Sequence, residues 1–420
     1  MKKLLLTLLI LLTADSQVKA VSEAAVLFLL IQPSLRANGM AGASVATSQH
    51  SPLSVSFNPA HVGFSGFERS VNLEFYPSKT NWLPGLNIDG LTYDAKALVV
   101  GYDLRRVHQK LPISIGFAYT KVNINLGEQI ITDETGPDPI ATFNSSENVD
   151  VWSVGVAIDY YIKAGLGLNF KNIESNLAPL SPGLEIGTGS ATANAHDFGI
   201  LVQLPIIEIV SKLTKNPYTI GNNFQPFVVP GFGFSKSNIG DEITYVDAAQ
   251  ADPLPRVARM GVSLYTGIAY RNENTHLRIF SFEWSSEAED LLVKRDESGR
   301  ITYEGGVGEI DFMENVLKSN ANANVINSRG WELSVLNIIS IRQGRYKDPG
   351  GKVFYDTSGF GISFINILRL AGLLNADLIE NTFFDFISDH VDIQYDHSSL
   401  AQAGTLLDDT TFKGLTIRLF

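Results

Sequence analysis

The sequence predicts an all-β fold: a transmembrane antiparallel β-barrel of about 14 strands, closed inside by an N-terminal plug or hatch segment and carrying short helices in its connections. Three observations predict it. From residue 68 onward, segment after segment alternates large apolar with small residues at period two. The second face of these segments is Gly, Ser and Ala with few acids, where a soluble sandwich would show charge. The stretch 28–60 is apolar, then rich in Gly and Ala, then kinked at Asn58-Pro59-Ala60, and it contains no catalytic pattern. It reads as a compact segment that must sit inside something.

Composition agrees. In 420 residues there are 36 glycines, 10% aromatics and only 18% charged residues, which suits a barrel whose strands are half apolar. Cysteine is absent, which removes disulfides, thiol chemistry and thiolate metal sites. The formal charge of −12 argues against nucleic acid, which needs a basic footprint. Met1-Lys2-Lys3, the apolar run Leu4–Leu12 and the small residue Ala20 read as a secretory signal over 1–20. That run is too short to span a bilayer as a helix. The expected organisation is 1–20 signal, 21–66 hatch and 67–420 barrel, located in the bacterial outer membrane against its lipid.

Taken in order, Val26–Ile31 opens the hatch as a short strand or buried segment. Val71, Leu73 and Phe75 then alternate with Asn72 and Glu74, and a second strand covers 91–102. In 111–124, Ile113, Ile115, Phe117 and Tyr119 oppose Ser114, Gly116, Ala118 and Thr120. In 150–161, Trp152, Val154, Val156 and Ile158 oppose Ser153, Gly155, Ala157 and Asp159. Strands follow at 163–175, 193–204, 224–240, 256–271 and 275–287, the last with Phe282 and Trp284 flanking Glu283. The remainder are about 328–336, 338–346, 354–365, 389–396 and 411–420. With both ends on the inner side, short turns near 161–163, 271–274 and 336–337 fall inside, and the connections 125–147, 176–192, 241–255 and 288–327 fall outside. The long inner connection 205–223 and the short outer turn Lys347–Lys352 break that rule. Helices are expected at Glu309–Ser319 in an outer loop, and at Ile365–Phe386 on the inner side, amphipathic, under the barrel or at the membrane interface. The chain closes on Phe420, an aromatic end of the kind barrel-assembly machinery reads.

Chemistry-bearing motifs are sparse. The seven histidines are scattered without ligand spacing, so no metal site is expected. Gly165-Leu166-Gly167 and Gly231-Phe232-Gly233 lack the third glycine and following helix of a dinucleotide fold. No G-x-S-x-G elbow is present. The chain is therefore read as no enzyme and as needing no cofactor; a hydrolase site in the outer loops would lack a nucleophile–base signature. The acidic runs at 133–134 and 287–290 read as solvated loop charge. Pro59 fixes Asn58 in extended geometry, so Asn58 can bond within the hatch or to the wall. Arg36 lies in an enclosed segment and needs carboxylates; an inward acid such as Asp159, Asp197 or Glu283 is expected opposite it.

Phe28-Leu29-Leu30-Ile31, Pro33, Arg36-Ala37, Gly39-Met40, Gly42-Ala43, Val45-Ala46 and Asn58-Pro59-Ala60 resemble the PorV/PorQ family of outer-membrane barrels, which is similar in turn to the FadL fatty-acid channels. Asn238-Ile239-Gly240, Pro253-Leu254-Pro255-Arg256 and Gly359-Phe360-Gly361 extend the resemblance. Asn38 and Ala41 depart from it, glycine being more usual there. The resemblance implies a hatch built on Arg36, Asn38, Gly39, Met40, Gly42, Asn58, Pro59 and Ala60. It implies a role in type IX secretion, the barrel receiving client proteins from the translocon and presenting them at the surface. The alternative it implies is a FadL-like channel that takes up hydrophobic molecules, with a hydrophobic ligand in the lumen.

Overall fold

The computed structural model describes residues 24–48, 51–68, 71–133, 136–177, 189–216, 218–221, 223–245, 251–271, 276–295, 301–374, 386–387, 390–401 and 405–419. The signal over 1–20 and Phe420 lie outside the described residues.

Fourteen strands among the described residues form one closed antiparallel barrel: β1 Val71–Phe75, β2 Leu91–Asp103, β3 Ile113–Asp133, β4 Gly136–Asp159, β5 Lys163–Asn176, β6 Ser190–Gln203, β7 Phe224–Gly240, β8 Val257–Arg271, β9 His276–Leu291, β10 Val325–Val335, β11 Ile339–Asp348, β12 Val353–Ser363, β13 Val391–Ala401 and β14 Thr411–Leu419. Neighbours in sequence are neighbours in the wall, and β1 closes the ring by pairing with both β14 and β2. Closure gives every strand of the ring a partner on both sides, as lipid demands.

Alternation decides what each face meets. Leu98, Val100, Phe117, Trp152, Val154, Leu166, Phe170, Ile341 and Phe360 point outward and are exposed. They form the apolar belt of a membrane barrel of the outer-membrane type. The inward positions of the same strands are small or polar and buried, among them Ala97, Ser114, Ala118, Ser153 and Ala157.

The structure changes two expectations. The stretch 125–147, expected as a loop, is strand: β3 and β4 pair as far as Asp133 opposite Gly136, with register shifts at Asn125/Glu128 and Ile131/Asp133. Polar, glycine-broken sequence hid the ladder there, because a projecting hairpin has no core face to imprint period two. The Glu309–Ser319 helix is a single wide turn, Phe312–Leu317. Its connection lies on the outside of the wall, covering Ser286, Ala288 and Asp290, with Phe312 against Phe232. Of the helix expected over 365–386, Ile365–Leu374 is helical and 375–385 lie outside the described residues. At the hatch, Val26–Ile31 contains one 3₁₀ turn, Leu27–Leu30.

The hatch is a coil laid along the inner wall. Its first helix, α1 (Leu35–Asn38), is capped by the Ser34 hydroxyl and packs on β12, β13 and β14. The chain then crosses β10 and β11 at Met40, passes β7 and β8 at Val45, and enters α2 (Ala60–Glu68), which lies on β3 and β4. Backbone can approach backbone this closely only where the wall carries no Cβ. A Cβ on Gly155 would stand 2.6 Å from the Gly63 amide nitrogen, and one on Gly330 would stand 2.6 Å from Met40 Cα. The inward glycines of the strands are thus the seat of the hatch.

Candidate functional site

Irregular backbone inside a barrel must find partners for its amides. Inward carboxylates supply them. Glu287 accepts from the amides of Ser44 (2.8 Å) and Val45 (2.9 Å). Glu74 accepts from the Leu53 amide (3.0 Å) and the Ser51 hydroxyl. Glu283 accepts from the Ser48 amide at 2.5 Å.

Arg36 makes the charged contact that ties the hatch to β9 and β10. It donates to Glu283 at 2.6 Å and to Glu332 at 2.9 and 3.1 Å. Glu283 and Glu332 are directly opposite in the β9–β10 register. Two like charges in such a pair repel, so the cation between them is a structural requirement. Arg342 continues the chain, pairing with Glu332 and, at 2.6 Å, with Asp396. All of these side chains are buried, and the alternation of sign lets them remain so.

Of the carboxylates expected opposite Arg36, Glu283 is its partner and the other two are held elsewhere. Asp159 pairs with Arg105 at 3.3 Å, and Asp197 with Lys171 at 2.9 Å. The reason is the path of the hatch: at Arg36 it lies on β12–β14, from where the long side chain reaches the acids of β9 and β10, and it comes to β6 only at Asn58. Glu332, Arg342 and Asp396 went unnoticed in the sequence. Glu332 did carry a signal, since Trp331-Glu332-Leu333 repeats the pattern of Phe282-Glu283-Trp284, an acid between two large outward residues.

The remaining hatch residues have separate tasks. Asn38 donates its amide to the Gln32 carbonyl at 2.9 Å. Met40 is fully buried. Gly39 sits against Arg342 and Gly359, and Ala41 and Gly42 both take positive φ, 59° and 87°, to reverse the chain. Alanine at φ 59° costs roughly 1 kcal/mol where glycine would not. Asn58 donates to Val45 O at 2.7 Å and to Ile200 O of β6 at 3.1 Å, while its Oδ1 accepts from the Ala60 amide at 3.1 Å. It therefore caps α2, clips the hatch to itself and ties it to the wall; Pro59 leads into α2 at Ala60. Asn58→Leu is expected to destabilise the hatch by about 2–3 kcal/mol, because three bonds go and buried carbonyls lose a donor; hydrogen exchange at α2 amides would read this as faster opening with the barrel amides unchanged.

Inside, the lumen has two characters. The outer half is apolar: Tyr93, Ala95, Val122, Ile124, Val149 and Val151 form one buried cluster with Val26, Phe28 and Leu29 of the hatch. Tyr76, Trp82, Tyr93 and Phe412 add a group of rings with centroids 6.1–6.4 Å apart. A gap of only about 20 Å³ remains between Phe28, Leu29 and Val122, Val149, Val151, the space of one water. The inner half is polar, with a cavity of about 360 Å³ at the short-turn end lined by Arg36, Glu332, Arg342, Arg105, Asp159 and Arg418 among others.

A second cavity of about 480 Å³ adjoins it, sharing Lys163, Gln203 and Arg278. It lies where the wall is incomplete. Strand β6 ends at Gln203 and pairs with β7 only from Gly231 onward, and the last ladder bond is Leu204 N to Pro230 O. The first residues of β7 pair with β8 alone. Pro226 and Pro230 there have no amide hydrogen to offer a neighbouring strand. Gln225, Phe227 and Val229 from the inward face and Pro226 and Val228 from the outward face all line the cavity. Both faces of one strand line one space only where the wall itself is open. Helix α3 (Ile206–Thr214) lies over the opening and contributes Ile207, Glu208 and Ser211 to the cavity.

No family model matches the chain and no curated protein matches it; the PorV resemblance has no support from these comparisons. Similar solved structures include the Pseudomonas putida toluene transporter TodX (10% identity, 91% of this chain and 96% of that one, TM-score 0.34) and a Pseudomonas aeruginosa FadL homologue (11%, 91% and 96%, 0.34). CdiB from Acinetobacter baumannii is another, at 7% identity and TM-score 0.34; 84% of this chain matches 60% of its length.

Proposed function

We propose that this barrel is an outer-membrane conduit for small hydrophobic or amphipathic molecules that leave the lumen through its wall. The observation that carries the reading is the opening between β6 and β7, continuous with the lumen floor. A pore for water-soluble solutes has no use for an exit into lipid, whereas an apolar molecule gains by staying out of water. The apolar outer half of the lumen supports the same reading. Its occupant in this closed form is the hatch segment 24–33, whose Phe28 and Leu29 stand in for the side an apolar guest would present. Passage requires that segment to move aside, and the chain needs no catalytic group for it.

Reconstituted in vesicles, the protein is expected to accelerate uptake of a hydrophobic fluorescent probe but not of a sugar of similar size. Because cysteine is absent, Ser211→Cys with Val228→Cys provides two unique sites, and bridging them with a short bismaleimide closes α3 onto β7. Uptake is expected to fall to the protein-free rate on bridging. Undiminished uptake would remove the wall exit from the reading, and sugar flux equal to probe flux would remove the reading itself.

The second reading is the export role implied by the residues at Phe28–Ala60. Its supporting observation is the β3–β4 hairpin, which continues past its neighbours: β2 stops pairing with β3 at Leu126 and β5 stops pairing with β4 at Ser146. Among the described residues neither edge of the projecting ladder pairs with another strand, and such edges accept added strands. Co-purification of a secretion translocon or of secreted clients, lost on trimming the hairpin, would favour this role over the conduit.

A further inference from the structure

Helix α3 presents an apolar face that no other part of the described residues covers. Ile206, Val210 and Leu213 recur at spacings of four and three, which puts them on one side of the helix, and they are 43%, 45% and 67% exposed. The opposite side, through Ile207 and Ser211, faces the cavity in the wall. The helix is fixed at its flank. Lys212 donates to the carbonyl of Tyr160 at 2.5 Å and pairs with Glu208 at 2.9 Å.

What covers the exposed face follows from its surroundings. Leu204, Tyr160 and Phe224 are exposed beside it, on or next to strands whose outward residues form the lipid-facing belt. Tyr160, Tyr161 and Tyr218 are exposed aromatics with polar tips, the residue type found where hydrocarbon meets headgroup. The apolar face of α3 is thus an extension of the belt rather than an isolated patch. The helix is short, with an apolar side, a charged flank and Lys215 just past its end, which is the pattern of a helix lying in the membrane surface.

We infer that α3 is a membrane-surface helix whose Ile206, Val210 and Leu213 are immersed in the phospholipid of the inner leaflet, and that it covers the wall opening between β6 and β7 from the lipid side. A molecule leaving through the opening then enters lipid between α3 and β7 without crossing water. The role as a cover rests on the conduit reading; the seating in lipid does not.

The test uses the full-length protein in phosphatidylethanolamine–phosphatidylglycerol vesicles, with single cysteines placed in turn at 206, 208, 210, 213 and 215 and labelled with a nitroxide. Collision with oxygen, which concentrates in hydrocarbon, is compared with collision with a water-soluble nickel chelate. Oxygen is expected to dominate at 206, 210 and 213, and the ratio to invert at 208 and 215. Chelate dominance at all five positions would overturn the proposal, because the face would be in water. Immobile labels shielded from both reagents at 206, 210 and 213 would also overturn it, because protein would cover the face. The collisions are read without any transported molecule, so lipid contact with no probe uptake leaves the seating intact and removes the conduit.

Discussion

Replacing Arg36 by methionine is expected to destabilise the seated hatch by about 3–5 kcal/mol, the cost of leaving buried carboxylates without their cation. Glu283 and Glu332 stand opposite one another across β9 and β10, and without the guanidinium each meets a like charge in a closed lumen. Arg342 still neutralises Glu332, so the larger orphan is Glu283. Arg36→Met with Glu283→Gln should therefore recover part of the loss. Arg36→Lys should recover little, because one ammonium cannot reproduce a fork that donates from Nε and Nη2 to two acids. Urea titration with a hatch-located fluorophore measures the cost, and single-channel recording reads it as frequent opening of a barrel that is otherwise closed. An Arg36→Met protein with unchanged midpoint and no openings would contradict the assignment.

The second large effect is expected at the glycine seat. In Gly155→Leu the new Cβ would lie 2.6 Å from the Gly63 amide nitrogen and 3.2 Å from Gly63 Cα. Both are backbone atoms of α2, and they cannot turn away as a side chain would. The nearest relief is to lift α2 off β4, which also breaks the Asn58 bond to Ile200 O. Overpacking alone costs about 1–3 kcal/mol, and the lost wall bond adds to it. The barrel itself should still assemble, since Gly155 lies within a complete ladder between β3 and β5. The expected result is a heat-modifiable, folded barrel with raised conductance and rapid exchange at α2. Gly155→Ala should show the same change at smaller size. A Gly155→Leu protein that is closed and protected like the parent would show that α2 does not depend on that contact.

Much of this was open to sequence reading where physics is local. An antiparallel strand facing lipid on one side and packed chain on the other must alternate large with small, and that pattern located most of the strands. Where no such contrast acts, the pattern vanished. The projecting part of the β3–β4 hairpin runs beyond the pairing of β2 at Leu126 and of β5 at Ser146, and its strands read as a loop. The glycines of β4, β5 and β7 were legible as inward and small, and they imply a packed lumen. Which hatch residue each one meets was not legible, because that depends on the path of the coil.

The sequence by itself determined the barrel, its lipid-facing side, and the need of Arg36 for a carboxylate, because each follows from residue type and period along the chain. Only the tertiary structure decided that Glu283 and Glu332 share Arg36, that Asp159 and Asp197 serve other cations, and that the wall is open beneath α3. Those outcomes depend on register and closure across strands far apart in sequence, and a period-two pattern is the same whichever partner a strand takes.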